Sequence, residues 1–387
     1  MSQPIKVLEV LNSVGLGGIE CLVRDLCRNI DRSKIDFEIA IMDGKPVDQY
    51  EAFRAMGIPF HVYPRLTVKT APAFMAWWKN FFRERKGYYR VVHIHTFTTA
   101  ALYMKYAKQS GAYVIVHSHS VIPKNATIKK KGRLVRYMLR QKLQDDRYID
   151  CRMACGQMAG HAIFKNKPFR VLNNGINTER YRFSPEMRQK MKEQFGWKEE
   201  LIIGHVGNGT GTKNQEFLLK VFCEIHKKQP DSRLVLIGNL MQIENKLRDY
   251  AEQENLTQAV SFLGLRSDVP DLMTAMDMFV FPSFFEGLPV VLVEAQCEGL
   301  YCVVSDAVSE EARISDWCTF YPLSQTAEQW ADLVLRAWEK HKTFDRSQAW
   351  KPVVQANYDI KSSAKTLQEL YLTCKPKPWK RLPAQRT

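Results

Sequence analysis

Two spacings of apolar residues alternate along this chain. One is the short, nearly unbroken run of a buried strand: KVLEVL (6–11), FEIAIM (37–42), RVVHIH (90–95) and YVIVHSH (113–119), with RMAC (152–155) and FRVLNNG (169–175) as further strand ends. The other is helical. Ile19, Leu22, Val23, Leu26, Cys27 and Ile30 fall on one helical stripe and predict an amphipathic helix. The rhythm then restarts. LIIGHVG (201–207), RLVLIG (233–238), VSFLG (260–264), MFVFPS (278–283) and YCVVSD (301–306) read as strands, and KNQEFLLKVFCEIHKK (213–228) as the helix after the first of them. The alternation predicts two doubly wound α/β domains, each a parallel sheet with helices on both faces. The expected division is 1–180 and 181–360, joined near 176–198. A last helix around Ser362–Lys375, with Ala364, Leu367, Leu370, Tyr371 and Cys374 on one face, is expected to pack back on the first domain. The Pro-rich, basic tail KPKPWKRLPAQRT is expected to be disordered.

At 387 residues the chain suits two domains, and 45% hydrophobic with 25% charged residues is a globular composition. No apolar run reaches the ~18 residues that span a bilayer. The opening MSQPIKVLEVLNSVG reads as a first strand, not a secretory leader. Nine cysteines, an odd number without a C-x-x-C pair, argue against a disulfide framework or zinc site and for a reducing cytoplasm.

Charge narrows the partners. The net +15 favours anionic ones, and nine of the basic residues (Lys124, Lys129, Lys130, Lys131, Arg133, Arg136, Arg140, Lys142, Arg147) lie between Pro123 and Arg147. They form either a solvated helix face or a patch for anionic headgroups, where each base contributes ~1 kcal/mol. MAWWKNFFRERKGYYR (75–90) reads either as an interfacial helix or as a helix packed on a sheet with a basic outer face. The bases follow no nucleic-acid-binding module, so nucleic acid is not expected as a partner.

Open parallel sheets bind ligands at the carboxyl ends of their strands, so the residues after strands matter most. VGLGGIE lacks the last glycine of a dinucleotide fingerprint, because position 20 is Glu. Gly17 and Gly18 still permit close approach of a phosphate, or simply make a tight turn. GNGTGTKNQ (207–215) places Lys213 at a helix start, which suits a diphosphate. It is not a P-loop, since Asn214 stands where Ser or Thr is required. In FFEGLPVVLVEA (284–295), Pro289 suits a first helical turn. Glu286 then stays in the loop and Glu294 falls in the second turn. Carboxylates accept strongly from vicinal hydroxyls, and the N–H groups of Gly287 and Leu288 lie between the two acids. Hydroxyls flanking a diphosphate are the layout of a sugar nucleotide.

The E-G-L-P-V-V-L-V-E run resembles the E-x7-E signature of retaining glycosyltransferases of family 4, which have the GT-B fold. GLGGIECLVRDLCRNID, VHSHS, NNGIN, the 201–219 segment and FLGLRSDVPDLMTAMDMFVFPS follow in the family's order over nearly the whole chain. The resemblance is greatest to enzymes of bacterial capsular and exopolysaccharide synthesis. It implies two Rossmann-like domains facing a central cleft, and a donor, a UDP-sugar by expectation, bound chiefly by the second. Glu286 would bind sugar hydroxyls and Glu294 ribose hydroxyls. Gly287, Leu288, Gly17 and Gly18 would cradle sugar and diphosphate, and Lys213 would neutralise the leaving group. Leu265 and Arg266 would meet the base through their main chain. His119 would stand near the reacting carbon, with His117 two residues away as the other candidate, while His95 reads as a structural histidine.

The implied reaction is front-face transfer with retention, in which the leaving phosphate helps deprotonate the acceptor. The acceptor would be a lipid-linked or oligosaccharide chain at the inner membrane face. No D-x-D motif occurs, so no metal or other cofactor is expected. Asn208 stands where the family has Arg, and Asn177 replaces a family Asp. A charged hydrogen bond of ~1.5–3 kcal/mol is thereby missing at 208 unless the amides around Gly209 and Gly211 replace it. That loss keeps a nucleotide-sugar-binding protein of weakened activity open as an alternative, beside a sugar-nucleotide epimerase. A phosphorylase would need a pyridoxal lysine, which no motif supplies.

Overall fold

The computed structural model describes residues 3–15, 17–44, 49–96, 98–119, 130–197 and 200–378; of 130–134 and 136 it describes the backbone alone. Most of the basic stretch, from Lys124 to Arg136, and the tail from 379 therefore lie outside the described residues or side chains.

Two compact units are present. Met1–Gly175 with Ile360–Thr387 forms one and Ile176–Asp359 the other, where the sequence placed boundaries at 180 and 360. Unit 1 holds strands β1 (Ile5–Val10), β2 (Ile35–Met42), β3 (Phe60–Tyr63), β4 (Val91–Ile94), β5 (Tyr113–Ser118), β6 (Cys151–Ala154) and β7 (Arg170–Val171), in the order β3-β2-β1-β4-β5-β6-β7. Unit 2 holds β8 (Leu201–Val206), β9 (Ser232–Ile237), β10 (Val260–Gly264), β11 (Met278–Phe281), β12 (Tyr301–Ser305) and β13 (Cys318–Tyr321), in the order β10-β9-β8-β11-β12-β13. Every pairing among these strands is parallel. In each sheet the winding reverses once, between β1 and β4 and between β8 and β11, and such switch points are where open sheets bind ligands.

The predicted stripe Leu22, Val23, Leu26, Cys27 is buried on helix Gly18–Asn29. Helix Ile360–Thr373 packs against it and adds Ala364, Leu367, Leu370, Tyr371 and Cys374 to the same core. The interfacial reading of 75–90 gives way to the packed one. Helix Ala71–Glu84 buries Phe74, Trp78, Phe81 and Phe82, and Trp78 stacks on Tyr103 with ring centroids 4.1 Å apart. All nine cysteines are free thiols, eight of them buried. Among the described residues no helix is long and apolar enough to cross a membrane.

One buried carboxylate holds the outer strands of unit 1. Glu38 on β2 accepts from Tyr89 Oη (2.6 Å) and Tyr88 Oη (2.7 Å) and is bonded to His61 Nε2 (2.7 Å). Burial pushes its pKa up, but the bonds from His61, Tyr89 and Tyr88 outweigh it and hold the value at about 2. A depressed carboxylate pKa contributes stability above its unfolded value that is lost as pH falls towards the folded one. Glu38→Gln is therefore expected to cost about 2–3 kcal/mol at pH 7, and the deficit should shrink as pH falls below the ordinary glutamate range. Urea midpoints of both proteins at pH 7 and pH 3.5 measure this; a deficit independent of pH would contradict it.

Candidate functional site

Two loops at the switch point of unit 2 carry Asn208, Lys213, Glu286, Gly287 and Leu288 of the predicted donor site. The loop after β8 runs through Asn208, Gly209, Gly211 and Lys213 to helix Gln215–Lys228. Asn214 caps that helix in the left-handed conformation (φ 57°), so Lys213 precedes the helix by two residues instead of opening it. The loop after β11 runs through Glu286, Gly287 and Leu288 to helix Val290–Cys297. Its N-cap is Pro289, one position before the expected first turn. Glu294 lies in the second turn, as the spacing predicted, and is half-buried.

One backbone and one side-chain hydrogen bond clamp the two loops together. Phe284 N donates to Thr212 O (2.8 Å), and Asn214 Nδ2 donates to Pro282 O (3.1 Å). The result is an ion pair between two of the three predicted catalytic groups, Lys213 Nζ to Glu286 Oε1 at 2.8 Å, both side chains partly exposed. Lys213 Nζ also lies 4.6 Å from the centroid of the Phe281 ring, a cation–π contact that limits where the ammonium can go. Asn208 is exposed and spends its Oδ1 accepting from Asn239 N (3.0 Å), which ties the β8 loop to the β9 loop. Leu265 is 59% exposed at the end of edge strand β10, and Arg266 forks onto Asp268 at 2.8 and 2.5 Å. The structure thus joins Lys213 with Glu286 but leaves Leu265 and Arg266 on the far side of β9.

In unit 1, Gly17 is the N-cap of helix Gly18–Asn29, and both glycines are exposed. The Glu20 carboxylate folds over that helix start: a Cβ on Gly17 would lie 2.3 Å from Glu20 Oε2, and Ser13 Oγ donates to Glu20 Oε1 at 2.5 Å. The acid that broke the dinucleotide pattern therefore occupies the positive helix end itself.

At the switch point of unit 1, the ends of β4 and β5 assemble His93, His95, His117 and His119 around Glu9 of β1. Glu9 and His93 are register partners. His95 Nε2 bonds Glu9 Oε2 at 2.8 Å, and His95 Nδ1 bonds His119 Nε2 at 2.8 Å. His93 Nε2 lies 3.2 Å from His117 Nδ1, and His93 Nδ1 lies 2.5 Å from Tyr371 Oη, which donates to Glu9 Oε1 at 2.8 Å. Burial, and then the neighbouring imidazoles, hold His93, His117 and His119 well below the ordinary histidine pKa, so all three are neutral. His117 is 1% exposed, whereas His119 is partly exposed, which makes His119 the more accessible of the two candidates. His95 is buried, which agrees with its structural reading. His93, His95 and His117 bring one donor atom each within 4.8 Å of one another, a spacing a metal could bridge. Hydrogen bonds already employ all of those nitrogens except His117 Nε2.

The motif reading missed Glu9, His93 and Tyr371. The available signal was an acid inside KVLEVL, a central strand otherwise built of apolar residues and one Lys.

The match to known proteins covers both units. Residues 187–348 match the family model of glycosyl transferases group 1, and residues 16–180 that of glycosyltransferase family 4. A putative glycosyltransferase, EpsF, of Bacillus subtilis (strain 168) is 30% identical over 374 residues, 95% of this chain and 96% of that one. The capsular polysaccharide biosynthesis glycosyltransferase CapH of Staphylococcus aureus is 23% identical, covering 95% and 99%. A UDP-Gal:alpha-D-GlcNAc-diphosphoundecaprenol alpha-1,3-galactosyltransferase of Escherichia coli is 25% identical, covering 78% and 79%. Among solved structures, Anabaena Alr3699/HepE in complex with UDP-glucose superposes with a TM-score of 0.78 at 18% identity, over 96% of this chain and 100% of that one. WaaG, a glycosyltransferase of lipopolysaccharide biosynthesis, gives 0.71 at 16%, over 95% and 100%. Two Rossmann-like units in the GT-B fold, a full-length relative at 30% identity and two family models that divide the chain between them give one answer: the chain belongs to the glycosyltransferases of family 4 (group 1).

Proposed function

We propose that this glycosyltransferase moves a sugar from a UDP-sugar to a lipid-linked or oligosaccharide acceptor during synthesis of a capsular or extracellular polysaccharide, with retention of configuration and without a metal. The observation that carries this reading is the Lys213–Glu286 pair, held at 2.8 Å on neighbouring loops at the switch point of unit 2. A sugar diphosphate needs a cation beside an acceptor of hydroxyls. In the free protein each group satisfies the other; a bound donor takes them separately, the diphosphate on Lys213 and the sugar hydroxyls on Glu286. Glu294 receives the ribose hydroxyls, the N–H groups of Gly287, Leu288, Gly17 and Gly18 serve sugar and diphosphate, and the main chain of Leu265 and Arg266 serves the base. His119 is the histidine near the reacting carbon. The sugar–phosphate bond breaks, the bond to the acceptor oxygen forms on the same face, and the departing phosphate takes the acceptor proton. Lys213 and the helix N-terminus meet the developing charge, so catalysis rests on positioning and preorganised electrostatics. The E. coli relative, named for UDP-Gal and a diphosphoundecaprenol-linked sugar, supports this donor and acceptor class. The reaction runs in the cytoplasm, with contact between the basic part of unit 1 and anionic lipid at the inner membrane face.

Thermal shift against a panel of nucleotide sugars with EDTA present, followed by turnover and NMR of the product anomer, tests the reading. A UDP-sugar should raise Tm and be consumed with its configuration kept; no stabilisation by any nucleotide sugar would refute it. Stabilisation without turnover would favour the weakened-binder reading, which Asn208 motivates. Sedimentation with anionic vesicles at low salt tests the membrane contact.

A further inference from the structure

The cluster around Glu9 has one donor direction throughout, and it can be followed atom by atom. As a carboxylate, Glu9 only accepts. Its Oε2 therefore takes the Nε2–H of His95, 2.8 Å away. If its single N–H is the one on Glu9, His95 accepts at Nδ1, and the proton in its 2.8 Å contact with His119 comes from His119 Nε2. His119 Nδ1 is then bare. It lies 3.3 Å from Asn174 Oδ1, and the amide, whose oxygen and nitrogen exchange by a half turn, satisfies it once Nδ2 is presented instead. The second branch runs the same way. Tyr371 donates to Glu9 Oε1, so its oxygen accepts from His93 Nδ1–H, and His93 Nε2 accepts from His117 Nδ1–H. That branch ends on a bare His117 Nε2, the atom found buried without a hydrogen-bond partner among the described residues. An orphaned acceptor lone pair there is far cheaper than an orphaned N–H.

From this we infer that Glu9 and His95 are positioning residues which lock His119 in the Nε2–H tautomer, leaving His119 Nδ1 as an acceptor for a substrate hydroxyl, and that Tyr371 of the C-terminal helix fixes the carboxylate that sets the direction. The Asn174 contact is the longest link in the chain, so it is the one a hydroxyl displaces. Its use in catalysis rests on the glycosyltransferase reading above; the tautomer itself does not.

Long-range ¹⁵N–¹H correlation spectra of the wild-type histidines, recorded without substrate, read the tautomer directly. His119 is expected as Nε2–H, and a wild-type Nδ1–H form would overturn the inference whatever the protein catalyses. Glu9→Gln is the matching variant. If the introduced amide keeps its oxygen on Tyr371, its NH2 group donates to His95 Nε2, which turns His95 into an Nδ1–H donor and His119 into the Nδ1–H form. The opposite amide orientation would strand an N–H on buried His117 and is disfavoured. The expected result is a switched His119 signal and a kcat lower by about 10²-fold at nearly unchanged donor KM, the pattern that a wrong tautomer gives. An unchanged His119 tautomer in Glu9→Gln, or a loss confined to KM, would also sink it. Absent turnover in the wild type would count against the glycosyltransferase reading alone.

Discussion

Lys213→Ala should lower kcat by about 10²–10³-fold, the range measured when one preorganised stabiliser of developing charge is removed. The ammonium is held from several sides. Its Nζ sits 2.8 Å from Glu286 Oε1 and 4.6 Å from the Phe281 ring centroid, and its stem lies so close to the β8 loop that a Cβ on Gly207 would be 3.1 Å from Lys213 Cγ. A charge restrained in this way is already in place when the phosphate departs and has little to reorganise. The loss should therefore fall mainly on kcat, with a smaller weakening of UDP binding. The variant also strips Glu286 of its counter-ion, so the two groups cannot be additive. A cycle of Lys213→Ala, Glu286→Ala and the double variant should show the double losing much less than the product of the singles. UDP release in steady state gives kcat, and calorimetry with UDP gives the binding part. A drop of less than about tenfold, or strict additivity, would remove Lys213 from the reaction centre.

The central strands were legible because apolar runs in parallel sheets are dense, but their order, and with it the two switch points, came only from the structure. Two of the four edge strands were not legible: β3 (FHVY) and β13 (CTFY) keep most of their residues only partly buried and so form no dense apolar run. Helix Ala71–Glu84 shows the opposite failure. Its aromatic and basic mixture is what both a membrane helix and a packed helix display, and only the buried Trp78 decides between them. At the site, the motifs named Lys213 and Glu286 by type but could not show that they bond each other, because the clamp is Phe284 N to Thr212 O, a backbone contact with no sequence signature. Glu9 was hidden for a related reason. Its partners come from the end of β4 and the C-terminal helix, separated by up to 362 positions, and its register with His93 helps bring them together.

Gly238→Ala should be among the most damaging small substitutions in unit 2, although residue 238 touches no proposed ligand. Gly238 follows β9 directly at φ 137°, a conformation that L side chains rarely adopt, and an added Cβ would lie 2.5 Å from Gly207 O and 2.7 Å from Gly207 C. Those are backbone atoms, and they are pinned. Gly207 N donates to Ile237 O (2.8 Å), Gly238 N to Gly264 O (2.9 Å), and Gly209 N to Asn239 O (2.8 Å). No side chain can swing aside, so β8's loop must move or the strand ends must part. Backbone strain and the clash together should cost about 3 kcal/mol, or roughly 6–12 °C in Tm for a domain of this size. Moving Gly207 and Asn208 also displaces Lys213, whose stem packs on Gly207, so UDP affinity should fall more than about tenfold even well below the new Tm. Gly211→Ala is the comparison: its φ of 78° is also positive but close to the left-handed region, and nothing lies within 4 Å of the added Cβ, so it should cost only about 1 kcal/mol. Thermal melts and UDP titrations on both variants separate clash from conformational strain. If Gly238→Ala melts no lower than Gly211→Ala and binds UDP normally, the crossover of the β8 and β9 loops does not hold the donor lysine in place.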